Sequence, residues 1–136
     1  EFRRVLFRSA RDIADEALLR FNMALNKTLL RLVGIKSREA EEEKIEAEKV
    51  KAKVATKELW NRAIDAFTAG ETEVSAEHYD AALENFGEAG ELFIQSREEA
   101  LAKRAKAVQA IEAAEAAIKA SDEKAAEAEE ILGGTN

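Results

Sequence analysis

The lone histidine, His78, follows Glu77, and such a pair is where a metal ligand or an acid–base dyad is first sought. On a helix, however, adjacent residues point in different directions. A di-iron bundle needs Glu three positions before His, where this chain has Ser75. The many carboxylates never fall into the D-x-D-x-D-G spacing of a calcium loop. Without cysteine there is no thiolate nucleophile and no Cys-based zinc site. No glycine-rich loop follows a strand pattern, so a phosphate cradle is also unsupported. No catalytic, metal-binding or cofactor-binding residue is therefore assigned, and no cofactor is expected. What remains is a set of aromatic side chains, Trp60, Phe67, Tyr79 and Phe86, spaced to line a groove between helices or to fill a core. The core reading is preferred, because each sits on an apolar stripe and gains about 1.5–3 kcal/mol on leaving water. Trp60 and Tyr79 keep polar atoms that need partners.

The elements that position these rings are helical. Proline is absent, and alanine, which loses no side-chain entropy in a helix, is abundant. The expected fold class is all-α, as elongated antiparallel hairpins or a three- to four-helix bundle. In residues 10–33, Ala14, Leu18, Phe21, Leu25, Leu29 and Leu32 recur at steps of three and four. Gly34 is expected to end that helix and Ser37 to cap the next. The second helix, 37–69, opens on solvated Glu–Lys pairs such as Glu41–Lys44 and Glu46–Lys49, each contributing about 0.2–0.5 kcal/mol. It then tightens into the stripe Leu59, Trp60, Ala63, Ile64 and Phe67, and Gly70 is expected to close it. A third helix, 75–120, is expected to start from Ser75, with a possible break at 93–96 where Ser96–Glu99 has the capping-box form. Phe93, Leu101, Val108 and Ile111 mark an association stripe along it. A fourth helix is expected at 121–131, and 132–136 has the composition of a linker or tail. Residues 10–131 are read as a single helical domain.

Net charge −7 and the lack of a basic stripe argue against a nucleic-acid partner. No apolar run approaches the ~20 residues of a membrane span. Residues 1–9, EFRRVLFRS, resemble a translated sequencing adapter at all nine positions and are expected to be non-native. On that reading any targeting signal or lipid-anchor cysteine has been lost with the natural N-terminus, and localisation is open.

Two family resemblances follow from the motifs. Trp60, Ala63, Ile64 and Phe67, with Tyr79, Ala82, Phe86 and Ala89, resemble one tetratricopeptide unit. They depart from that pattern in Ile64 where glycine is usual, in lacking a closing proline and in a longer separation between helices. The succession VATKELWNRAIDAF, YDAALENFGEAGELF, KRAKAVQAIEAAEAAI and EKAAEAEEILGG is similar to helical regions of spirochaete-type cell-envelope lipoproteins. That resemblance implies a periplasmic or outer-envelope protein, compatible with a lipid anchor, whose helical domain serves interaction or assembly. The expected function is a non-enzymatic scaffold or protein-interaction domain that binds a protein partner or itself. The alternatives are a helical-bundle carrier of a small apolar ligand and an amphipathic protein that lies on a membrane surface through the net-positive residues 10–33.

Overall fold

The computed structural model describes residues 1–134 and is all-α, with no strand among those residues. Four helices follow in order: α1 (Phe2–Lys49), the single turn α2 (Ala52–Ala55), α3 (Lys57–Ser75) and α4 (Tyr79–Gly133). Residues 33–49 of α1, all of α2 and α3, and residues 79–100 of α4 bury one another. In that core, Ala40 lies beside Gly90 and Glu43 beside Arg97, so α1 and α4 run in the same direction. Thr56 meets Ser96, Trp60 meets Phe93 and Phe67 meets Phe86, so α3 returns antiparallel to both, packed on α4 and barely touching α1.

The corners are not where glycine pointed. Gly34, expected to stop the first helix, lies inside α1. Its carbonyl accepts bonds from Arg38 Nε at 3.1 Å and Ser37 Oγ at 3.4 Å, so Ser37 faces back along its own helix and caps nothing. Glycine in a helix interior costs about 1 kcal/mol, and the strong helix formers around it outweigh that cost. Gly70 lies inside α3, and Ser75 is the last residue of α3 rather than the cap of α4.

The chain turns instead at two non-glycine residues in the left-handed region, Lys51 and Glu77, both with φ of 60°. At the second turn, Glu77 N–H donates to Val74 O (3.0 Å) and His78 N–H to Glu73 O (2.9 Å), which is the Schellman pairing with glutamate in the usual glycine position. At the first, Lys51 N–H donates to Glu48 O at 2.9 Å. Packing of buried Ala52 and Thr56 offsets the cost of a side chain in that conformation.

α4 runs unbroken through Gly87, Gly90 and Ser96, and the helix expected separately at 121–131 is its continuation. Ser96 is no capping residue: it is fully buried and shares a 2.5 Å hydrogen bond with Thr56 Oγ1. The linker-like composition at 132–136 begins within α4, and residues 135 and 136 lie outside the described residues.

Candidate functional site

The core is built in two aromatic layers. Trp60 and Phe93 meet edge to face with centroids 5.1 Å apart, and Phe67 and Phe86 do the same at 5.1 Å. Such pairs contribute about 0.5–1.5 kcal/mol beyond their buried area. Gly70 admits the second layer: a Cβ there would stand 2.9 Å from the Phe86 ring. At Gly90, where α1 passes α4, an added Cβ would stand 3.8 Å from the Ala40 Cα, an ordinary contact that alanine could also make.

Of the four rings that sequence placed in core or groove, Trp60 and Phe86 are buried, and Phe67 and Tyr79 are half-buried beside them. An open groove at one end of the core is lined by Leu30, Val33, Phe67, Val74 and Phe86, and Trp60 takes no part in it.

His78 lies at the exposed turn, where its Nδ1 is 2.8 Å from Glu73 Oε2; Glu77, its sequence neighbour, is not its partner. Among the described residues no group of three or more His, Asp or Glu side chains is arranged to hold a metal ion. No described helix is long and apolar enough to cross a membrane.

The association stripe divides. Phe93 is fully buried under Trp60, so it is a core residue and offers no surface. Leu101, Val108 and Ile111 are exposed, together with Ile118. From residue 101 to residue 134 every residue of the chain is exposed. The other end mirrors this. Residues 1–32 are exposed apart from half-buried Leu29, and Leu18, Leu19, Phe21, Met23, Leu25, Leu30 and Leu32 are large apolar side chains facing solvent. Because α1 and α4 are parallel, the first of these arms enters the core at one end and the second leaves it at the other. At 1.5 Å per residue, 10–32 spans roughly 35 Å and 101–133 roughly 50 Å.

The arms keep the facial pattern of a packed helix. At 3.6 residues per turn, Leu18, Leu25 and Leu29 lie on the side of α1 that carries Ala40 and Ala47, and Ile111 and Ile118 lie on the side of α4 that carries Phe86, Phe93 and Ala100.

Three polar contacts that no local motif announces tie the core together: the Thr56–Ser96 hydrogen bond, the Glu43–Arg97 ion pair at 2.9 Å and the bond from Lys103 Nζ to Ala55 O at 2.8 Å. The same I-x-S-R-E residues at 35–39 make no such contacts, since Ser37 and Arg38 bond only to Gly34 O of their own helix, so the motif itself does not signal them.

No protein-family model, curated protein or solved structure matches the chain.

Proposed function

We propose that the chain is a non-enzymatic helical scaffold, a protein-interaction domain whose working surfaces are the two arms, 10–32 and 101–133. The observation that supports this is the pair of apolar stripes that continue the core faces of α1 and α4 while remaining in solvent. Exposed apolar surface of this extent marks interaction sites, and an isolated helix takes most of its stability from packing of its apolar face. The resemblance to cell-envelope lipoprotein helices agrees with such a role and suggests the envelope as its setting.

A photo-crosslinking amino acid placed at Leu18 or Val108 tests the reading, with Lys57 on the exposed side of α3 as the reference position. Discrete protein adducts are expected from the two arm positions. Adducts no more abundant there than at Lys57 would refute the proposal.

A further inference from the structure

We draw no further inference here: the strongest candidate, the exposed apolar faces of the two arms at 10–32 of α1 and 101–133 of α4, carries none, because nothing in the structure shows what covers them.

Discussion

Gly70→Ala and Gly87→Ala make the same chemical change on two helices and should have opposite effects on stability. At position 87 an added Cβ meets nothing within 4 Å. The substitution there lowers the entropy of the unfolded chain and removes the helix cost of glycine, a gain of about 0.5–1 kcal/mol. At position 70 the same gain is set against the Phe86 ring, whose Cε1, Cδ1 and Cζ atoms would lie 2.9, 3.0 and 3.0 Å from the new carbon. The ring is buried and held edge to face by Phe67, so it can give way only toward the groove it lines with Val33 and Val74, at the expense of that ring pair. Overpacking of this kind costs about 1–3 kcal/mol, which leaves Gly70→Ala about 0–2 kcal/mol less stable than wild type and separates the two variants by about 1–3 kcal/mol. Urea unfolding followed by emission from Trp60 reads the core alone, because the arms carry no tryptophan. Combining Gly70→Ala with Phe86→Leu should cost less than the sum of the two single changes, since the smaller side chain relieves the overlap. A Gly70→Ala variant as stable as Gly87→Ala, or strict additivity with Phe86→Leu, would refute the close-approach role assigned to Gly70.

Two further outcomes follow from the turns and the buried hydroxyls. Lys51→Gly and Glu77→Gly should each raise the urea midpoint by an amount equal to about 0.5–1 kcal/mol, since relief of a left-handed side chain (about 1–2 kcal/mol) exceeds the added entropy of glycine; a lowered midpoint would show that the side chains themselves hold the corners. Thr56→Val should cost about 1–3 kcal/mol by leaving the buried Ser96 hydroxyl without its cross-helix partner. Adding Ser96→Ala should recover part of that loss in the same urea assay, and a double variant no better than the single one would deny the coupling.

The helical class and most of the buried stripe were legible in sequence. Trp60, Ala63, Phe86, Ala89 and Phe93 fall at steps of three and four, and that period follows from helix geometry whatever the neighbours are. The corners were not legible. Gly34 and Gly70 invite a helix end, but a glycine costs only about 1 kcal/mol in a helix interior, and the packing of α3 and α4 decides the matter. Glycine at 70 answers a steric need of Phe86, 16 positions away, that no local rule encodes. Lys51 and Glu77, with no glycine signature, take left-handed conformations because the hairpins they close bury Ala52, Thr56 and Ala82. Phe93 and Leu101 looked equivalent on one stripe, and the structure separates them: the stripe continues past the end of the partner helix, and periodicity registers the face without registering where the partner stops.

That separation bears on what the arms do. A stripe that served only to close the core would end where α3 begins, near Thr56 opposite Ser96, and beyond it α4 would have no reason to keep Leu101, Val108, Ile111 and Ile118 among its alanines. On the other side, α1 would have no reason to keep Leu18, Phe21 and Leu25 ahead of Val33. The direction of the helices then limits how these stripes can be satisfied. Parallel α1 and α4 place the arms at opposite ends of the core, too far apart for the α1 arm to fold back onto the α4 arm of its own copy. Neither arm can therefore cover the apolar face of the other within one copy. The core joins an α1 face to a parallel α4 face only over residues 33–49 and 79–100, where Ala40 lies beside Gly90 and Glu43 pairs with Arg97.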